Sequence, residues 1–264
     1  MSDDEFIQDI IKQRGFILTR SGLDDEEAAL EIARHLREMR KDGTKIISLI
    51  GGAASGKSML ARRVANVLQD AATISTDDFL LGSRSYRAEY LEGRYPLKKY
   101  DFDLLREKVD RIRNLRPGES EPVPVYEEKD GVAIKLLDFD PDTGRVLSID
   151  KDHYPKRVEK VGFLIVEGDF QPLASPDCQI FFHVPDDVRL SNRINRDVQQ
   201  RRAMSVRETA DSFALRQRLQ HQPYTLPCAS NADILIMVSA VPVDTRYKYW
   251  YSFWVSPTDR PKTF

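Results

Sequence analysis

The chain has 264 residues, of which 41% are apolar and 31% charged, enough for one large or two small globular domains. Its 40 Lys and Arg against 42 Asp and Glu leave a formal charge of −2, which argues against a dedicated nucleic-acid binder. No apolar run reaches membrane-spanning length and the acidic start Ser2-Asp3-Asp4-Glu5 is unlike a signal peptide, so a cytoplasmic location without membrane contact is expected.

Residues 1–44 read as a charged helical extension, with Asp24-Asp25-Glu26-Glu27 at a helix start and an apolar stripe through Ala28, Leu30, Ile32, Ala33, Leu36 and Met39. Five apolar runs then read as core strands: Lys45 to Ile50, Ala72 to Ser75, Val161 to Val166, Cys178 to Val184 and Asp233 to Val238. Helical patterns between most of them predict an α/β fold, a parallel sheet with helices on both faces, over 45–240. Residues 122–160 break the rhythm. There Val132 to Asp138 and Arg145 to Asp150 flank Asp140-Pro141-Asp142-Thr143-Gly144 and predict a β-hairpin flap on the substrate side. Cys178 and Cys228 follow no metal-ligand spacing and read as free thiols. The aromatic stretch Tyr247, Tyr249, Trp250, Tyr251, Phe253 and Trp254 is expected as a tail, 241–264, laid on the core, with an oligomer contact or ligand cover as the alternatives.

The first strand runs straight into Gly51, Gly52, Ala53, Ala54, Ser55, Gly56, Lys57 and Ser58, the G-x-x-x-x-G-K-[ST] pattern, and a helical pattern from Met59 follows. Glycines let the backbone wrap an anion, Lys57 reaches the β- and γ-phosphates, and the Ser58 hydroxyl suits Mg²⁺. The alternative, a glycine-rich structural turn, lacks a reason for that strand–loop–helix context. Past the second strand stands Ser75-Thr76-Asp77-Asp78-Phe79, where a carboxylate can accept a proton from a substrate hydroxyl. Asp77 is the first choice and Asp78 the alternative, against the reading of either as a helix N-cap. The third strand ends in Glu167-Gly168-Asp169, which points to Glu167 as a metal-side acid. Arg189, Arg193 and Arg196 recur at helical spacing and suggest a lid over the nucleotide, or else a solvated basic face.

In this order the motifs resemble those of the uridine kinase and phosphoribulokinase family, which includes the bacterial type of pantothenate kinase. GGAASGKS is similar to its phosphate loop, ISTDDF to its base motif, FLIVEG to its acidic strand end and RLSNRINRDVQQR to its lid. Gln222-Pro223-Tyr224 and Ala232-Asp233-Ile234-Leu235-Ile236 resemble its closing loop and last strand. The resemblance implies a P-loop fold with a five-stranded parallel sheet of order 2-3-1-4-5. It also implies an ATP- and Mg²⁺-dependent kinase acting on an alcohol of a small molecule. By the same resemblance Asp77 and Lys57 are catalytic, and Gly51 to Met59 with Arg193, Arg196 and Arg201 bind ATP. Ser58 and Glu167 hold the metal, and Arg94, Tyr100, Asp101 and Tyr126 face the acceptor. The chain departs from a uridine kinase at nucleoside-facing positions: Leu80 follows the base motif, Gly93-Arg94-Tyr95-Pro96 replaces F-D-H-P, and no His follows Pro124-Val125-Tyr126 closely. From Gly82 to Lys99, Arg84, Arg87, Arg94, Lys98 and Lys99 outnumber Glu89 and Glu92, so an anionic sugar, sugar phosphate or carboxylate is expected. A true uridine or cytidine kinase, or a P-loop ATPase without such an acceptor, is the alternative, and a homo-oligomer is left open.

Overall fold

A computed structural model of the chain describes every residue except 1, 40–41, 81–95, 125, 130–131, 136–137, 140–145, 149–155, 171–172, 174, 201–204, 244–245 and 258–264. The chain opens with α1 (Asp3–Arg14), β1 (Ile17–Leu23) and α2 (Asp25–Glu38). There follow β2 (Lys45–Gly51), α3 (Lys57–Leu68), β3 (Ala71–Ser75) and a 3-10 turn, Thr76–Phe79. A second 3-10 turn, Pro96–Lys99, leads into α4 (Phe102–Arg113). After an inserted β region come β10 (Phe163–Gly168), β11 (Cys178–His183) and α5 (Asp186–Ile194), which continues as a π-helical segment, Asn195–Gln200. Last come α6 (Val206–Arg216), a π-helical segment Gln217–Thr225, a 3-10 segment Leu226–Asn231, β12 (Ile234–Val243) and β13 (Arg246–Val255).

The central sheet runs β1-β13-β12-β11-β2-β10-β3. From β3 to β12 neighbouring strands are parallel, and the β13 pairings are antiparallel. All residues of β10 and β11 are buried, as a strand covered on both faces requires. Side-chain alternation divides that burial. Ile47, Leu49, Phe163, Ile165, Ile180 and Phe182 face α2 and α3. On the other face, Ile46, Leu164 and Val166 meet Leu105, Val109 and Ile112 of α4, while Ile50, Phe181 and Leu235 meet Ile7, Ile10 and Ile11 of α1.

Three expectations change. Residues 1–44 are not helical throughout, since β1 interrupts them, and the five expected parallel strands are extended to a seven-stranded sheet by the antiparallel β13 and β1. Six of the seven β1 residues are exposed, so no hydrophobic alternation marked it; β1 forms because the outer edge of β13 offers unpaired backbone groups. The aromatic stretch is a strand of the sheet. β13 folds back along β12 in unbroken register from Ile234–Val255 to Val243–Arg246. Its aromatics have period two: Tyr247, Tyr249, Tyr251 and Phe253 pack on the α2/α3 side, and Trp254 on the other.

The insertion carries three ladders rather than one hairpin. β4 (Ser120–Val123) pairs with β9 (Lys156–Glu159), β5 (Tyr126–Lys129) with β6 (Val132–Lys135), and β7 (Asp138–Phe139) with β8 (Val146–Ser148). The last pair brackets the Asp140–Gly144 segment. Val132–Lys135 instead turns back on β5, and the Asp130-Gly131 dipeptide between them is a strong two-residue hairpin signature in sequence. Val123 and Val158 seat the first ladder on the α4 side of the core.

Candidate functional site

The parallel strands β2, β3 and β10 end together, and their carboxyl ends carry the chemistry-bearing residues, the usual place for a site in such a sheet. Between β2 and α3 the loop needs its glycines for two different reasons. A Cβ on Gly51 would stand 2.6 Å from the Phe182 carbonyl oxygen, and one on Gly52 only 2.0 Å from Nη1 of Arg189. Gly56 adopts φ +88°, a left-handed conformation that favours glycine. No side chain caps α3, so its first N–H groups are free for an anion in the loop.

Lys57 opens α3 and is buried. Its ammonium donates to Asp169 Oδ1 at 2.7 Å and to the Gly52 carbonyl at 3.4 Å. Burial alone would lower its pKa, but the charges of Asp169, Glu167 and Asp77 outweigh that and raise it. Asp169 responds in kind: burial raises its carboxyl, and Lys57, Lys99 and Arg216 bring it below the usual range. One residue on, Ser58 Oγ donates to Glu167 Oε1 at 3.0 Å. The Glu167 carboxyl is buried, and desolvation pushes its pKa up despite the nearby Lys57. Gly168 is required here, because a Cβ would meet Thr76 Oγ1 at 2.3 Å. A hydroxyl and an adjoining carboxylate beside a phosphate loop are the hard oxygen donors that Mg²⁺ accepts when phosphates complete its shell.

The two aspartates after β3 have separate tasks. Asp78 closes a capping box, accepting from the Ser75 backbone N–H at 3.4 Å, while Ser75 Oγ accepts from Asp77 N at 3.3 Å. Asp77 is exposed, and its carboxylate accepts from the Tyr100 hydroxyl at 3.3 Å. Burial together with Asp77 and Asp169 pushes the Tyr100 phenol well above its ordinary pKa, so it remains a donor. Its ring stacks on Phe102 at 5.2 Å and meets Phe170 edge-on at 5.8 Å. Lys99, also buried, lies 5.0 Å above the Tyr100 ring and donates to Gln220 Oε1 at 3.2 Å.

On the lid side, the three arginines part company. Arg189 is buried beneath Gly52, donating to the Val184 carbonyl at 3.1 Å, to Gln217 Oε1 at 2.7 Å and to Asp186. It is a buttress of the loop rather than part of a solvated lid face. Arg193 is buried too, with Nε on Asp197 at 3.3 Å and Nη2 on Ser212 at 3.0 Å; its Nη1 has no partner among the described residues. Burial and the neighbouring Arg216 lower its pKa to about 10, against the pull of Asp197. Arg196 grips Asp197 with two bonds, 2.7 and 3.2 Å. Ala53, Asp169, Arg193, Arg216 and Gln220 line a small cleft between lid and loop.

Thus Gly51 to Ser58, Asp77, Tyr100, Glu167, Arg193 and Arg196 are brought toward one region. Met59 is exposed on α3. Asp101 Oδ1 accepts from Leu104 N at 2.9 Å, so the residue serves as the N-cap of α4, and a role toward the acceptor stays a proposal. Arg94 and Arg201 lie outside the described residues, and of Tyr126 only its backbone, in β5, is described. Sequence reasoning gave no role to Asp169, although it directly follows Glu167-Gly168. It passed over Phe170, Arg216 and Gln220, which only the fold brings near. Among the described residues no helix is long and apolar enough to cross a membrane.

Comparison with known proteins agrees with this geometry. The model of the phosphoribulokinase/uridine kinase family matches residues 46–244. A uridine kinase of Borrelia duttonii (strain Ly) is 22% identical over 193 residues, which covers 73% of this chain and 85% of the relative. Among solved structures, the YGR205w protein superposes with a TM-score of 0.58 at 12% identity, covering 87% of this chain and 98% of that one. D-glycerate 3-kinase from Cryptococcus neoformans var. grubii does so with a TM-score of 0.50 at 12% identity, covering 81% and 93%. At such identities the structural likeness speaks for the fold.

Proposed function

The chain belongs to the phosphoribulokinase/uridine kinase family, and from that premise we propose that it transfers the γ-phosphoryl group of ATP to an alcohol of a small anionic metabolite. The observation that carries this reading is the meeting of three pairs at the strand ends: Lys57 with Asp169, Ser58 with Glu167, and Tyr100 with Asp77. The loop N–H groups and Lys57 hold the phosphates. Ser58 and Glu167 are the residues that would hold Mg²⁺, which when bound offsets charge on the β- and γ-phosphates. Asp77 takes the proton of the acceptor hydroxyl as its oxygen bonds to the γ-phosphorus and the bond to the β–γ bridging oxygen breaks, releasing ADP. Tyr100 orients the receiving carboxylate. Arg193 and Arg196 stand where charge develops, and the unpartnered Nη1 of Arg193 offers a donor to a phosphoryl oxygen. Arg201 and Arg94 keep their proposed roles toward ATP and acceptor.

The anionic part of the reading rests on Lys99 and Arg216. A buried ammonium framed by Tyr100, Phe170 and Gln220, near an arginine that perturbs both Asp169 and Tyr100, suits a carboxylate or phosphate tail on the acceptor. A neutral nucleoside is the second reading, favoured by the name of the Borrelia relative. The test is a panel of nucleosides, sugars, sugar phosphates, glycerate and pantothenate, with ADP release and acceptor phosphorylation both measured. Transfer to an anionic alcohol supports the proposal. Transfer only to uridine or cytidine supports the second reading, and ADP release without any phosphorylated acceptor refutes both.

A further inference from the structure

Two hydrogen bonds connect the C-terminal strand to the phosphate loop. The Tyr249 hydroxyl, on β13, donates to Asn192 Oδ1 at 2.8 Å. The other end of that amide, Nδ2 of Asn192 on α5, donates to the Ala54 carbonyl at 3.2 Å. Ala54 is one of two non-glycine residues with positive φ, at +62°, among the described residues. A side chain at such φ needs its surroundings to hold it there. The bond to its carbonyl fixes the peptide plane that joins Ala54 to Ser55, and so the aim of the N–H groups that follow.

Asn192 could make that bond alone, but its amide has two ends of similar shape. Rotated by half a turn it would present oxygen to the Ala54 carbonyl, acceptor against acceptor. The Ala54 carbonyl, which can only accept, therefore sets which end faces the loop, and the Tyr249 phenol, donating to the oxygen, holds the amide in that orientation. Strand β13 holds the phenol in place: Tyr249 pairs with Ala240 across the hairpin, and its ring packs with Tyr247 against the core on the α2/α3 side. Two residues on, Tyr251 makes a comparable bond, its hydroxyl donating to Asp25 Oδ1 at 2.6 Å. That bond ends on α2 and misses the loop, which makes it a matched control.

We propose that Tyr249 is a positioning residue for nucleotide binding, acting through Asn192 to hold the phosphate loop in its anion-accepting shape. The inference rests on the loop being the ATP site proposed above. It gives the C-terminal hairpin a part in binding that needs no contact with the ligand.

The experiment is direct titration of a fluorescent ATP analogue and, by competition, of ATP and inorganic tripolyphosphate, in wild type, Tyr249→Phe, Asn192→Ala, the double variant and Tyr251→Phe. Loss of one neutral hydrogen bond predicts that Tyr249→Phe binds ATP about threefold to tenfold more weakly. Tripolyphosphate should weaken by the same factor, because the relay acts on the phosphate-holding backbone. The double variant should be no weaker than Asn192→Ala, since both changes cut one chain. Tyr251→Phe should lower the melting temperature and leave affinity unchanged. The proposal is overturned if Tyr249→Phe binds like wild type, if the two single effects add, or if only ATP and not tripolyphosphate is weakened, which would make Tyr249 a contact to the base. Wild-type protein that binds no nucleotide would remove the ATP site and the relay together.

Discussion

The division of labour between Asp77 and Asp78 makes a sharp prediction, because Asn is nearly isosteric with Asp at either position. In Asp77→Asn the side-chain oxygen can still accept from the Tyr100 hydroxyl, 3.3 Å away in the native protein, so the local packing stays. What disappears is the capacity to take a proton. General-base contributions run to about 10²–10⁴ in rate, or roughly 3–5 kcal/mol of barrier, and turnover should fall by that much. Nucleotide binding should not fall with it. Asp77 raises the Lys57 pKa as a nearby negative charge, while the direct partner of Lys57 is Asp169, so removing Asp77 leaves the grip intact and eases the approach of phosphates. Asp78→Asn should do the reverse: a cap held by a 3.4 Å bond loses on the order of 1 kcal/mol or less of stability while turnover is kept. Initial rates with the acceptor from the metabolite panel, beside a nucleotide titration and a melting curve, read all three quantities. Full turnover in Asp77→Asn, or a collapse of turnover confined to Asp78→Asn, would refute the assignment.

Lys99→Met keeps length and apolar bulk but removes the buried charge, so KM for an anionic acceptor should rise about tenfold or more while KM for ATP holds; equal KM for the acceptor would remove Lys99 from recognition. Glu167→Gln tests pH dependence. Its folded carboxyl is raised by burial, so the neutral form suits the fold, and wild-type protein loses stability as pH climbs from the unfolded carboxyl range through the raised folded pKa. Denaturation midpoints without Mg²⁺ should therefore favour the Gln variant increasingly from pH 4 to 7, even though its turnover is lost; a difference that is flat or shrinks with pH would contradict the buried-carboxylate reading. Lys57→Met strands Asp169 and Glu167 in a buried site. It should abolish nucleotide binding and cost about 3–5 kcal/mol of stability at neutral pH, checked by urea unfolding.

The parts of the fold legible in sequence are those whose residues face a core on a regular period. β10 and β11 are mostly apolar because both faces are covered, and α2 announces itself through the acidic cluster at its start, where Asp24 and Glu27 form a capping box. β1 is the opposite case. Its residues are mostly exposed and its two register shifts bend it along β13, so only the partner's free edge makes it a strand. β13 did carry a period-two aromatic signal at Tyr247, Tyr249, Tyr251 and Phe253, but two tryptophans on the alternate positions blurred it into an undifferentiated aromatic run.

A similar line divides the site. The phosphate loop works through backbone geometry and contiguous residues, so eight positions in sequence carry it whole. Ser58 is recognisable because it closes the loop motif, and Glu167 because it ends an apolar run in β10. The proposed recognition of the acceptor has no such local grammar. Lys99 belongs to a 3-10 turn, Phe170 follows β10, and Gln220 lies in a π-helical segment after α6, yet all three converge around Tyr100. Asp101, one residue along, looked equally chemical and is used as a helix cap. Residue type and proximity in sequence therefore cannot rank such candidates. Only the direction in which each side chain leaves its turn separates Tyr100, which reaches Asp77, from Asp101, which closes α4. On the proposed reading acceptor identity is thus a property of the assembled cleft, and substitutions at Lys99 and Gln220 should change what is phosphorylated while leaving the loop's hold on ATP alone.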